Sequence, residues 1–263
     1  MSEITHKMVV QDSFTRQAHA YAVAPAVADP ARIGKLVEAV DPAVDSRVLE
    51  VACGPGFLTL AFAGRCRECV GVDLTEAPLA IAEKNRRERG LANARFQSGD
   101  AERLPFAEGE FDVVVCRYAF HHFETPARVL GEMARVCRRD GKVVVEDLVS
   151  SEHRERGDYH NHFERLRDPS HTRALTASEL LSMFTAAGLE LERLYSGELV
   201  QNLERWLATT QTAPDRAAQV RALVERDARE DLSGTRPFRE RGEWFFRHTT
   251  LAVVGRPLRT TKP

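Results

Sequence analysis

The chain alternates short apolar runs with longer stretches in which apolar residues return every three or four positions. Apolar runs at 47–51, 68–73, 94–98, 111–116 and 142–148 predict strands, and the spacing over 57–64, 76–89 and 126–138 predicts helices. Pro78 falls in the first turn of its helix, where a missing N–H costs little; Gly90 and Asp140-Gly141 are expected to be a stop and a turn. Strand and helix in alternation from Arg47 to Ser150 predict an α/β fold, a doubly wound parallel sheet with right-handed crossovers. Residues 1–40 read as one or two helices, one of them starting at Asp29-Pro30. A polar segment over 149–175 holds a helix through HNHFERLR. A helix at 176–187, a strand at 189–195, helices near 202–210 and 214–231, and a last strand over 244–254 complete the pattern. No internal repeat or low-complexity linker interrupts it, so 1–263 reads as a single domain.

The most informative stretch is RVLEVACGPG, residues 47–56. An apolar strand enters a small-residue turn holding Ala52, Gly54 and Gly56, and a helical pattern starts at Phe57. Glycine is needed where the backbone takes left-handed dihedrals or approaches a ligand. Such a unit aims free N–H groups and a positive helix end at one point, which suits an elongated polar ligand. The third glycine of a dinucleotide fingerprint is replaced by Thr59, and the Gly-Lys-Ser/Thr ending of a P-loop is absent. The next strand ends on Asp73, where a carboxylate can bond both hydroxyls of a ribose. On spacing alone NAD stays compatible.

Four stretches, the glycine turn among them, carry a resemblance: VLEVACGPG (48–56), VGVDLTEAPLAIAEKN (70–85), FQSGDAERLPFAEGEFDVVVCRYAFHHF (96–123) and PARVLGEMARVCRRDGKVVVEDL (126–148). In order and spacing they resemble the class I S-adenosylmethionine-dependent methyltransferases, in the branch that includes the ubiquinone/menaquinone C-methyltransferases. The resemblance implies a Rossmann-like, mostly parallel seven-stranded sheet whose last two strands form a reverse hairpin at the edge. It divides the chain into a helical lid (1–40), a cofactor-binding core (41–150), a substrate cap (151–175 and about 198–240) and the sheet edge. S-adenosyl-L-methionine is then the expected cofactor, with Glu50 facing its ammonium and the Gly54–Gly56 turn its carboxylate. By the same resemblance Asp73 holds the ribose, Leu74 lies on the adenine face, and Asp100 and the Ala101 N–H meet the adenine edge. The backbone near Arg117 touches the methionine part, and an aromatic residue of the lid, Tyr21, closes over it. Methyl transfer to a small molecule is the implied activity. A protein that keeps the pocket but runs other chemistry, such as a cyclase, is the alternative.

His121 and His122 are the candidate catalytic residues, because an imidazole of near-neutral pKa can take a proton from an attacking hydroxyl or acidic carbon. A structural histidine bonded to backbone is the competing reading, and the preferred one for His122. Tyr118 and the cap residues His160, Phe163, Arg167 and His171 are candidates for the acceptor pocket. No metal is expected: His160 and His162 stand two apart on a helix and point to different faces. Cys66-x-x-Cys69 lacks a second pair, and strand alternation is expected to turn its two thiols apart. A formal net charge of −2, from 37 basic and 39 acidic residues, gives no reason to expect nucleic acid. The N-terminus lacks a signal pattern and no apolar run approaches the ~20 residues of a spanning helix, so a soluble cytoplasmic protein is expected.

Overall fold

The computed structural model describes residues 4–258. Its strands are β1 (Arg47–Val51), β2 (Glu68–Asp73), β3 (Ala94–Ser98), β4 (Phe111–Arg117), β5 (Cys137–Val149), β6 (Leu189–Asn202), β7 (Phe238–Glu240) and β8 (Glu243–Pro257). They form one sheet in the order β3-β2-β1-β4-β5-β8-β6, with the short β7 pairing β8 off this path. β1 to β5 are parallel, and β8 runs antiparallel to β5 and β6. This is the seven-stranded arrangement with its edge hairpin, plus an eighth short strand. Strand order reverses beside β1, so the crevice between the ends of β1 and β4 is where a ligand is expected.

The helices are α1 (His6–Tyr21), α2 (Pro25–Ala28), α3 (Pro30–Val40), α4 (Phe57–Ala63), α5 (Glu76–Glu88), α6 (Pro126–Val136), α7 (Arg154–Arg167), α8 (Ala177–Ala186), α9 (Leu203–Thr209) and α10 (Pro214–Glu230). Apolar side chains cover both faces of the sheet. Val129, Leu130 and Met133 of α6 pack with Leu180 and Phe184 of α8 on one face. Ile33, Leu36 and Val37 of α3 pack with Leu58 and Phe62 of α4 on the other. Of the N-terminal stretch, α3 therefore belongs to the sheet layers, and α1 alone lies over the crevice as a long helix. A third core holds the cap together: Phe163 of α7, Trp206 and Leu207 of α9, Val220 and Val224 of α10, and Phe246 of β8.

Two local readings differ from the sequence pattern. Asp140-Gly141 is no turn between elements. β5 begins at Cys137 and bulges there, pairing Cys137 with Phe111 and Lys142 with Val113. A side chain at 141 would press to 2.6 Å from the Asp112 carbonyl, so the bulge requires glycine. β6 and β8 also run past the predicted ends, because their paired register continues to Asn202–Phe245 and carries the cap helices between them.

Candidate active site

Beyond β1 the backbone is left-handed at Ala52 (φ 56°), Gly54 (φ 50°) and Gly56 (φ 76°). The two glycines do different jobs. A Cβ on Gly56 would stand 2.6 Å from the Phe96 ring and 2.9 Å from Ala82, so Gly56 lets α4 sit against α5 and β3. It is not among the residues that line the cavity above the turn. A Cβ on Gly54 would meet only Tyr21, at 3.9 Å across open space. The turn amides are spent within the protein: Gly54 N–H on Asp73 Oδ2 (2.8 Å) and Gly56 N–H on the Cys53 carbonyl (2.9 Å). Asp73 also accepts from Thr75 N–H at 2.9 Å, while Thr75 is itself the N-cap of α5. Asp73 thus fastens the glycine turn to the end of β2, and burial raises its pKa.

The cavity above this turn has a free volume of about 1060 Å³ including its mouth. Its wall includes Tyr21, Glu50, Ala52, Gly54, Asp73, Leu74, Asp100, Ala101 and Arg117. Glu50 is buried, and its Oε2 accepts from both the N–H (2.7 Å) and the hydroxyl of Thr59. Thr59 stands where a dinucleotide fold carries its third glycine. Burial, opposed by the Thr59 bonds, raises the Glu50 pKa to about 7. Arg117 donates from Nε to Glu146 (3.0 Å) and from Nη1 to the Val27 carbonyl (3.0 Å). Its Nη2 is buried with no partner among the described residues. The wall thus includes a buried acid, Glu50, and Arg117, whose buried guanidinium keeps one N–H group unpaired.

α1 roofs this cavity. Lys7 Nζ lies 2.7 Å from Asp100 and 2.8 Å from Glu102, His6 Nε2 donates to the His122 carbonyl (2.8 Å), and Gln11 donates to the Leu74 carbonyl (3.2 Å). Phe14 sets its ring edge-on to Tyr21 and His122. Nothing in the sequence singles out Lys7, His6 or Gln11. Their partners lie 63 to 116 residues away and no local spacing links them.

A second chamber of about 720 Å³ adjoins the first and shares Phe14, Tyr21, Val27, Tyr118 and His122 with it. His121, Glu164, Arg167, Trp206 and His248 line it. His121 Nδ1 is 2.6 Å from Asp147 Oδ1, and Asp147 also accepts from the His121 N–H. Burial disfavours the imidazolium, but the Asp147 charge and hydrogen bond outweigh it and leave the His121 pKa raised. His122 bonds through Nδ1 to the Ser170 carbonyl (2.9 Å); a carbonyl only accepts, so Nδ1 carries the proton. Burial and the neighbouring His121 lower the His122 pKa to about 4. Tyr118, with φ 53°, stands between the chambers. Three expected cap residues line neither chamber. Phe163 is in the cap core, His171 bonds Asn161 (2.8 Å), and His160 lies against Glu164 and His248. His162 is exposed. The Cys66 and Cys69 sulfurs do not diverge; they stand 2.8 Å apart, because Cys66 precedes β2 and alternation does not govern it.

The description "Methyltransferase domain" fits residues 49–145. An uncharacterized methyltransferase of Bacillus subtilis, YcgJ, is 34% identical over 213 residues, which is 81% of this chain and 84% of that one. The chain belongs to the S-adenosylmethionine-dependent methyltransferases. The methyltransferase superposes on the crystal structure of YcgJ with a TM-score of 0.81 at 31% identity, over 86% of this chain and 97% of that one. A demethylmenaquinone methyltransferase of Thermus thermophilus is 39% identical over 112 residues, 41% of this methyltransferase and 50% of its relative. The [4+2]-cyclase SpnF covers 98% of both chains with a TM-score of 0.70 but only 20% identity, a likeness of fold alone. The cofactor of the methyltransferase is S-adenosylmethionine, and its zwitterionic end fits a wall that sets a buried acid near an unpaired guanidinium N–H. No helix among the described residues is long and apolar enough to cross a membrane.

Proposed function

We propose that this methyltransferase acts on a small molecule bearing an ionisable O–H or acidic C–H, held in the second chamber. One observation carries the reading: His121, paired in the interior with Asp147, lines a chamber that shares its wall residues with the cofactor cavity. The bound cofactor supplies an electrophilic methyl group on a sulfonium. Glu50 takes its ammonium through Oε1, the oxygen that Thr59 leaves free. Arg117 Nη2 takes its carboxylate, the role the spent turn amides cannot fill. Asp73 accepts from the ribose hydroxyls, Leu74 packs on the base, and Asp100 and the Ala101 N–H meet its edge.

On the acceptor side, Asp147 holds His121 with Nδ1 protonated, so the lone pair is on Nε2. Nε2 takes the acceptor's proton as the nucleophile advances, and the resulting imidazolium is stabilised by Asp147. Tyr118 and His122 separate the two ligands, and the remaining rate arises from alignment in a site closed by α1 and the cap. Arg167 gives the chamber a cation for a polar or anionic acceptor. A chamber of about 720 Å³ including its mouth suits a small acceptor, the near-neutral charge argues against nucleic acid, and five free thiols suit the reducing cytoplasm.

The test is incubation with methyl-labelled S-adenosylmethionine and a panel of phenols, enols and 1,3-dicarbonyls, followed by product analysis. Labelled product that disappears in His121→Gln is expected. Tight S-adenosylhomocysteine binding with no methylation of any acceptor would sink the transfer reading.

A further inference from the structure

Beside the second chamber, α7 and β8 bring together three side chains to which the proposed methyl transfer assigns no role. His160 and Glu164 stand one helical turn apart on α7 and so share a face. His248 comes from β8, more than eighty residues later in the chain. All three are buried. Glu164 Oε1 is 2.7 Å from His248 Nε2 and 3.5 Å from His160 Nε2, and the three ligand atoms lie within 4.8 Å of one another. Yet none of these atoms has a hydrogen bond of acceptable geometry to any described residue. Two imidazole nitrogens converge on one carboxylate oxygen without bonding it. Groups buried this deeply are normally partnered, so the arrangement asks for an atom at its centre.

We propose that His160, Glu164 and His248 bind a divalent first-row transition-metal ion. Two imidazoles and one carboxylate are the donor set of such ions, not of calcium or magnesium, which prefer all-oxygen shells. Ligands about 2.1 Å from an ion at tetrahedral angles stand about 3.4 Å apart; the 3.5 Å pair matches this, and the 2.7 Å pair has to open by a side-chain adjustment when the ion enters. One carboxylate against a divalent ion leaves net positive charge, and Arg167, 3.8 Å from Glu164 Oε2, adds to it. The site therefore favours an anionic fourth ligand. Glu164 and His248 line the chamber while His160 lies behind them, so the open position faces the acceptor. An acceptor oxygen reaching that position would be held by the ion, leaving proton removal to His121.

The experiment titrates tag-free, chelator-stripped protein with Co2+, read by visible absorption and calorimetry. One equivalent per chain is expected, with ligand-field bands of a nitrogen and oxygen shell, displaced by Zn2+. Uptake should be lost in His248→Gln and in Glu164→Gln, each checked for folding by S-adenosylhomocysteine binding. If these variants fail to fold, the wild-type spectrum still decides. An intense near-ultraviolet sulfur-to-cobalt band would put the ion at Cys66 and Cys69 and overturn the proposal. So would no stoichiometric uptake at submillimolar Co2+, or uptake that survives both substitutions. The readout is metal binding itself, so its failure leaves the methyl-transfer reading standing, and failure of that reading leaves this one.

Discussion

Glu50 shows how burial sets the behaviour of one carboxyl. Its pKa is raised to about 7, against 4.5 in the unfolded chain. Below pH 4.5 both states hold the proton and pH has no effect. Between 4.5 and 7 the unfolded chain releases it while the fold keeps it, so stability falls as pH rises and levels off above 7. The ceiling of that loss is on the order of 3 kcal/mol. Urea unfolding of the ligand-free protein at pH 5 and pH 8 should show it, and Glu50→Gln should not. S-adenosylhomocysteine affinity should rise through the same window in the wild type and stay flatter in the variant; parallel slopes would count against the ammonium contact. His121 gives a second residue-scale expectation. Its base form accumulates as pH rises through a pKa held above the usual imidazole value by Asp147. Asp147→Asn should move the rising limb of the rate profile to lower pH and reduce kcat about a hundredfold or more, with cofactor affinity little changed. An unmoved limb would mean that His121 is not the base.

At the scale of elements, α1 is held by few polar contacts, and its main latch is half-exposed. The Lys7 bridges to Asp100 and Glu102 are screened by solvent and worth at most about 1 kcal/mol. Lys7→Met should speed S-adenosylhomocysteine release about threefold to fivefold, and added salt should do the same to the wild type. Stopped-flow release that ignores both changes would remove the latch from the account. The elements themselves were largely legible. β1 to β4, α4, α5 and the capped start of α3 at Asp29 follow from short-range periodicity and turn chemistry, which is where local sequence holds the information. The bulge at Gly141 was not, because two residues that usually end an element can also kink a strand. Nor was the full length of β6 and β8, which mutual pairing extends beyond what either strand's composition suggests.

For the whole molecule, what the sequence conceals is what distant segments do to each other. Glu50 and Asp73 could be placed on the cavity from the strand ends they occupy, and Ala101 from the family resemblance. The meeting of His248 with α7, of Lys7 with Asp100 and of Arg117 with Val27 needs the folded chain. The cap also rests on its own core, so its integrity should separate from that of the cofactor cavity. Phe246 is fully buried there, its ring 4.8 Å from that of Trp206. Phe246→Ala should cost about 3–5 kcal/mol locally and abolish turnover while S-adenosylhomocysteine still binds, by calorimetry. Loss of both together would join cap and sheet into one cooperative unit.

The sixteen-residue α1 lies over both chambers, and its Phe14 touches each of them. A single shutter over two compartments makes traffic sequential: whichever ligand is seated deeper must arrive first and depart last. Steady-state inhibition by S-adenosylhomocysteine should therefore be competitive toward the methyl donor and noncompetitive toward the acceptor.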